Sequence, residues 1–439
     1  MAFQRSSNRR GHHRVLPGRT GRPESSEGSG ERDGGVRQGP GGHGGSARPK
    51  DLLGPGAARA ADRAPSADAG GARQADREGA FPAEVFEGLR KSGVLGATVP
   101  QELGGLGVSS LHDVCLALTT VAEADASTAL ALHMQLSRGL TLTHEWRHGD
   151  ERARALAGRL LRGMGSGEAV VCTTVKDAGG GRVVTRLRPA EDGGWLLSGR
   201  KTLASMAPIA TDFVVSARVE VAGVTRSAAA VLSRRTPGLT VLDNWDGLGM
   251  RASGSVDVLL EDCPVRQEDV FLRGPVGERD DAALAGQTVS SITMLGIYVG
   301  VAQAARDHVV AELTRRGGAP GAGVRTLLAE IEARLHALRT TVAGTLVVAD
   351  HLAYEFDGDP LERGRRMMFD FQRAKLTVNR LAPEIVGDCV TVIGGASYSG
   401  AHPLARLSRD VRAGAFMHPF TYPDAVDWLS DAALGGPKD

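Results

Sequence analysis

Residues 193–218 read GGWLLSGRKTLASMAPIATDFVVSAR. Trp195 and Leu197, then Phe213, Val214 and Val215, fall in short runs of β-branched and aromatic residues, and a Gly-Gly pair opens the stretch. Side chains of this kind pack well on a pleated surface, while Gly-Gly and Asp-Gly pairs break strands from one another. The same texture extends both ways. Val170, Val171, Val183 and Val184 precede it, and runs at 228–232 and 256–260 carry it on to Val265. Residues 168–275 are therefore expected to form a middle antiparallel β domain, a small barrel or sheet.

On both sides the period becomes helical. Upstream, Phe81, Val85, Phe86 and Leu89 recur at helical spacing, with Pro82 suited to a first turn and Gly93 to a stop. After the glycine-broken loop QELGGLGVSS, helices are expected over 111–124, 127–140 and 151–161, which makes 80–167 an N-terminal helical domain. Downstream, helices are expected over 283–313, 324–352 and 363–393, with a shorter one from Pro403. Short, often glycine-rich connections suit antiparallel neighbours, so 281–435 reads as a C-terminal four-helix bundle. The fold class is α+β, in the order helices, β, helices.

Composition narrows the function. The 439 residues carry 52 Lys and Arg against 51 Asp and Glu, a net charge of +1, which argues against a nucleic-acid partner. Hydrophobic residues at 41% and charged residues at 23% permit a sizeable core. Cys115, Cys172, Cys263 and Cys389 lie far apart with no CxxC, so neither a disulfide framework nor a metal site is expected, and a cytoplasmic setting is. No apolar run reaches the roughly 18 residues of a membrane helix, so no membrane partner is expected. Residues 1–79 are dominated by Gly, Arg, Ser and Pro and read as a disordered tail, since too few apolar side chains offset the ordering entropy. Arg9-Arg10 lacks the apolar stretch of an export signal.

Five segments, taken in order, resemble the acyl-CoA dehydrogenase superfamily. GVLGATVPQELGGLGVS (93–109) looks like its first-helix exit and AEADASTALALHMQ (122–135) like its third-helix segment. The stretch at 193–218 is similar to the region between its two flavin-contacting strands, and WDGLGMRASGSVDVLLEDCPV (245–265) to the loop and strand that close its β domain. DCVTVIGGASYSGAHPLARLSRD (388–410) resembles its last bundle segment. The resemblance implies a flavin enzyme binding FAD. CTTVKDAGGG (172–181) matches the first flavin strand, placing Cys172, Thr173 and Thr174 beside the pyrimidine ring. KTLASMA (201–207) matches the second, placing Ser205 at N5 and Leu203 where the family carries an aromatic cover. Such donors suit atoms that gain negative charge as hydride arrives. Gly394 and Gly395 match the pair that approaches the cofactor across a subunit boundary; assembly through the bundle, as a homotetramer or homodimer, is implied with them.

The chain also departs from the family. The usual base, a glutamate nine residues past the arginine of the Arg-Asp pair, is replaced by His418, counted from Arg409. Imidazole titrates near neutrality and is able to serve as a base, or His418 is a loop residue with no task. The serine that meets acyl-CoA is Gly180. The bundle arginine for the FAD diphosphate is blurred into RRGGAPGAG, with Arg316 its nearest match, and Glu332 and Thr391 stand where the family has glutamines. Three functions follow: an FAD-dependent dehydrogenase or oxidase of an acyl thioester on CoA or a carrier protein, passing electrons to a flavoprotein or oxygen; a monooxygenase of the same fold, fed reduced flavin by a separate reductase and hydroxylating an aromatic or amine substrate; or a non-catalytic scaffold.

Overall fold

The computed structural model describes residues 69–435 apart from 182, 183, 192 and 279. The helical N-terminal region holds α1 (Ala69–Glu78), α2 (Ala83–Lys91), α3 (Leu111–Ala124), α4 (Ala126–His148) and α5 (Glu151–Ser166). Side-chain caps set three of the starts: Ser110 accepts from Asp113 N, Asp125 from Ser127 N and Thr128 N, and Asp150 from Ala153 N. α4 runs two turns beyond the expected end at 140, because nothing in its sequence breaks a helix before Gly149.

The unstructured tail expected over 1–79 is corrected at its end by α1; residues 1–68 lie outside the described residues. α1 is polar and lacks a broad apolar stripe, yet it docks. Arg409 donates to both carboxylate oxygens of Asp76 (3.0 and 2.6 Å), Arg251 Nε donates to Asp76 O (2.8 Å), and Ala72 is buried. The partner arginine lies 333 residues away, out of reach of any local pattern.

The middle region forms one eight-stranded sheet: β1 (Val171–Thr174), β2 (Arg186–Pro189), β3 (Trp195–Ala204), β4 (Asp212–Val221), β5 (Val224–Ser233), β6 (Leu239–Val241), β7 (Val256–Val265) and β8 (Val270–Pro275). Its order is β6-β7-β3-β2-β4-β5-β8, with β1 joined to β4 off this path. The sheet is mostly antiparallel, as expected, with two parallel pairings, since β1 and β2 each run parallel to β4. Alternate residues of β3, β4, β5 and β7, among them Leu197, Phe213, Val215, Ala230, Val258 and Leu260, close a core of their own.

The C-terminal helices are α6 (Ala283–Val289), α7 (Leu295–Arg316), α8 (Ala322–Tyr354), α9 (Pro360–Ile393), α10 (Pro403–Asp410) and α11 (Tyr422–Ala433). The single helix expected over 283–313 is broken after α6. Ser290 Oγ donates back to Gln287 O (2.8 Å), and a short 3₁₀ turn, Ile292–Met294, restarts the chain as α7. The segment Ala283–Arg316 is long and apolar enough to cross a membrane by length and composition, but most of it is buried inside the protein. Leu111, Leu118, Ile297, Val301, Leu338 and Phe371 belong to one continuous core, so the N-terminal helices and the bundle are packed as one body. At the crossing of α7 on α3 the backbones nearly touch. A Cβ on Gly296 would stand 2.3 Å from Cys115 O, and one on Gly300 2.4 Å from Thr119 O.

Candidate active site

β1 and the turn after β3 meet at one edge of the sheet. Cys172 Sγ lies 3.3 Å from Ser205 O, so the first strand sits directly against the second motif. The Ser205 hydroxyl is 2.7 Å from that of Ser255, which is 2.6 Å from that of Ser253, a buried chain of three hydroxyls. The turn carrying Ser205 is held in an unusual shape, with Leu203 (φ 59°) and Met206 (φ 71°) both left-handed and Met206 N donating to Ser253 O at 3.0 Å. Positive φ at two non-glycine residues stores strain of ~1–3 kcal/mol each and clusters at functional sites. The result turns Leu203 outward, 50% exposed, while Ser205 stays buried.

Along β1, Thr174 is fully buried and its Oγ1 has no partner among the described residues. Thr173 Oγ1 accepts from Arg138 Nε (2.9 Å) and Nη2 (2.7 Å) on α4. Burial depresses the Arg138 guanidinium to about 10, and the nearby positive charge of Arg273 adds to the effect. The Cys172 thiol is pushed up to about 12 by burial, which removes it as a nucleophile. Lys201 fixes the turn after β1, donating to Val175 O (3.1 Å), Asp177 Oδ1 (2.7 Å) and Ser216 Oγ (3.1 Å).

His418 stands in the loop between a 3₁₀ segment (Val411–Phe416) and α11, joined to Pro419 by a cis peptide bond. Its ring is exposed at the edge of the protomer, with Nδ1 3.5 Å from Pro419 O. Its basicity is nonetheless lowered, first by the protein packed around the ring and then by the charges of Lys176 and Lys375, with Asp424 opposing. Lys176 belongs to the turn after β1, so the charge of that turn reaches His418. The loop is anchored on its far side by Phe420 against Trp428, ring centroids 5.6 Å apart, and by the Thr421–Asp424 capping box of α11.

Cys172, Thr173, Thr174, Leu203 and Ser205 are thus gathered at the meeting of β1 and the turn after β3, while His418 stands in a separate loop that the charge of Lys176 reaches. The other residues implied by the resemblance make local contacts. Arg316, exposed at the end of α7, pairs with Glu312 on its own helix (3.0 Å). Thr391 Oγ1 donates to Gly387 O (3.0 Å) within α9, and Gly394 (φ 77°) and Gly395 are exposed just beyond it. Four contributors escaped the sequence reading: Arg138, Lys201, Lys375 and the Ser253–Ser255 pair. Lys375 alone left a signal, since it occupies an apolar stripe of α9 with Phe371, Ala374 and Val378.

This donor set fits the electron-rich edge of a flavin. Thr174 offers a buried hydroxyl that lacks a partner among the described residues, and Ser205 is a hydroxyl at the head of a buried relay, positioned by a strained turn. Family models agree with that reading. The acyl-CoA dehydrogenase N-terminal, middle and C-terminal domains match residues 60–168, 175–263 and 292–422. The chain belongs to the acyl-CoA dehydrogenase family of flavoprotein oxidoreductases. Within it, the chain is 62% identical to the amino sugar nitrososynthase DnmZ of Streptomyces peucetius, covering 83% of this chain and 89% of the relative. It is 60% identical to the L-evernosamine nitrososynthase of a Micromonospora species, covering 83% and 86%. Among solved structures, KijD3 in complex with FMN and dTDP-3-amino-2,3,6-trideoxy-4-keto-3-methyl-D-glucose superposes with a TM-score of 0.86 at 59% identity, covering 88% of this chain and 96% of that one.

Proposed function

We propose that this chain is a flavin-dependent N-oxygenase that converts the amino group of a nucleotide-linked amino sugar to a nitroso group. The observation that carries the reading is the similarity, at about three residues in five over most of both chains, to nitrososynthases of amino sugars and to a structure holding FMN with a dTDP-amino-keto sugar. Reduced flavin, when bound, supplies two electrons for each dioxygen consumed, one oxygen atom going to the substrate and the other leaving as water. R–NH₂ becomes R–NHOH in the first turnover. A second oxygenation and loss of water give R–N=O, so two reduced flavins and two dioxygens are used per product. The reductant comes from a separate flavin reductase.

The chain's own residues suit this task. An amine is nucleophilic only when neutral, and the lowered basicity of His418, which favours its neutral form, supports a role for it in taking the ammonium proton. Ser205 and Thr174 hold the flavin edge, and Lys201 keeps the neighbouring turn in place. We favour FMN over the FAD expected from the family. Arg316, the one match for a diphosphate ligand, is already engaged with Glu312, and the KijD3 structure contains FMN. Assembly with further copies is part of the proposal, with the exposed Gly394–Gly395 turn completing a neighbour's site.

The test supplies reductase-generated FMNH₂, dioxygen and a dTDP-amino sugar, and follows the product by mass spectrometry. Replacement of two hydrogens by one oxygen supports the reading. Failure of that conversion, together with anaerobic bleaching of bound flavin by an acyl-CoA panel, would return the chain to α,β-dehydrogenation of a thioester.

A further inference from the structure

Lys375 is a buried lysine, 3% exposed, in the middle of α9, and no carboxylate lies within ion-pair distance of it among the described residues. Its Nζ donates to Met417 O and to Phe420 O. Those carbonyls bracket His418 and Pro419, so one ammonium closes the base of the loop from both sides. A buried ammonium with no carboxylate in contact is costly, and a merely structural tie across two carbonyls needs no net charge. The lysine stem lies among Phe371, Ala374 and Val378, where an apolar residue would pack as well.

We propose that Lys375 is the positioning residue of this site, its ammonium fixing the His418 loop against α9 and presenting His418 to the β1 edge. The proposal rests on the reading of His418 as the base. Three charged groups act on that imidazole: Lys176 from the turn after β1, Lys375 from α9 and Asp424 from α11. Two are cations, and they disfavour a third positive charge between them. Lys375 therefore acts twice, mechanically through its two hydrogen bonds and electrostatically through its charge. Its own basicity is depressed by burial to about 8, so it remains charged over the acidic range in which His418 must resist protonation.

The experiment uses the full chain with three substitutions. Lys375→Met removes hydrogen bonds and charge, Lys375→Gln keeps a donor without charge, and Lys375→Arg keeps the charge. The imidazole of His418 is titrated by NMR in histidine-labelled protein, its signal identified by its loss in His418→Gln. In the methionine and glutamine variants His418 should protonate at higher pH than in the wild type, and in the arginine variant close to it. The acid limb of N-oxygenation in the methionine variant should move to higher pH, so that its activity at pH 6 relative to pH 8 falls below the wild-type ratio. A role in packing alone would lower activity equally at every pH and leave the titration unmoved. An unchanged His418 titration in the methionine variant overturns the proposal, and if that variant does not fold, the same result in Lys375→Gln does so. His418→Ala is the separate control. Full N-oxygenation by that variant dismisses His418 as the base, while the titration still decides what Lys375 does.

Discussion

At the scale of single residues, the proposed flavin edge rests on two hydroxyls. Ser205→Ala and Thr174→Val each remove one hydrogen bond to the flavin worth ~0.5–1.5 kcal/mol, so flavin affinity should fall up to about tenfold. The apo thermal midpoint should be little changed for Thr174→Val and lowered for Ser205→Ala by loss of its bond to Ser255. Fluorescence titration with FMN measures this, and wild-type affinity in both variants would dismiss the assignment of this edge. His418 makes a pH prediction. Because its basicity is lowered, the neutral ring persists below the ordinary imidazole range, and product formation should decline only as the medium becomes more acidic than that range. In His418→Ala that acid limb should vanish while flavin remains bound. Asp410 makes a prediction about stability. It is fully buried, accepts from Met250 N at 2.6 Å and is raised to about 7, chiefly by burial. The folded state therefore keeps a proton that the unfolded chain has lost, so this contribution to stability is present below about pH 4 and lost as pH rises through 7. His133, buried and depressed to about 4, acts in the opposite sense, becoming destabilising as pH falls through 6.5. Comparing Asp410→Asn with wild type cancels that background, and the variant should gain stability over wild type at pH 8 more than at pH 5 in urea denaturation.

At the scale of elements, α1 and the α3–α7 crossing are the decisive tests. Removing residues 1–68 should leave fold and flavin intact, whereas Asp76→Ala should cost ~1–3 kcal/mol, since it strips charged hydrogen bonds from Arg409. Equal thermal midpoints for Asp76→Ala and wild type would show that α1 is idle. Gly300→Ala should cost ~1–3 kcal/mol by forcing α7 off α3, read as a lowered midpoint at unchanged slope. The sequence made some of these elements plain and hid others, for physical reasons. Leu111–Ala124 was legible to the residue because its apolar spacing runs unbroken over those positions, and the Ser110 cap fixes the same start in the structure. The β segment was legible as strands, but the parallel pairing of β1 with β4 is a long-range choice that no local run encodes. α1 was invisible because its hold comes from two distant arginines, Arg409 and Arg251. In the site, Ser205 and the β1 threonines were found only through their motifs, and Arg138 left no trace because a helical arginine ordinarily marks a solvated face.

For the whole molecule, apolar surface remains uncovered in the protomer. Val347 is 62% exposed and Val348 38% on α8, with Tyr398 93% exposed beside the Gly394–Gly395 turn. A second copy is the occupant expected from the proposed assembly, and sedimentation should show a dimer or larger species. A flavin-bound species sedimenting only as the 45.9 kDa chain would count against it.

The shared core has a consequence for how the protein is made. α3 emerges from the ribosome early, with Leu111, Val114, Cys115 and Leu118 all destined for burial, but the glycine-notched face of α7 that covers them lies beyond the entire sheet. At roughly 5–20 residues per second, the nascent helix waits of order ten to forty seconds for its cover. Over that interval its apolar stripe is open to chaperones or to neighbouring chains, so soluble yield should respond to slower growth and added chaperones, although the finished protomer buries the stripe entirely.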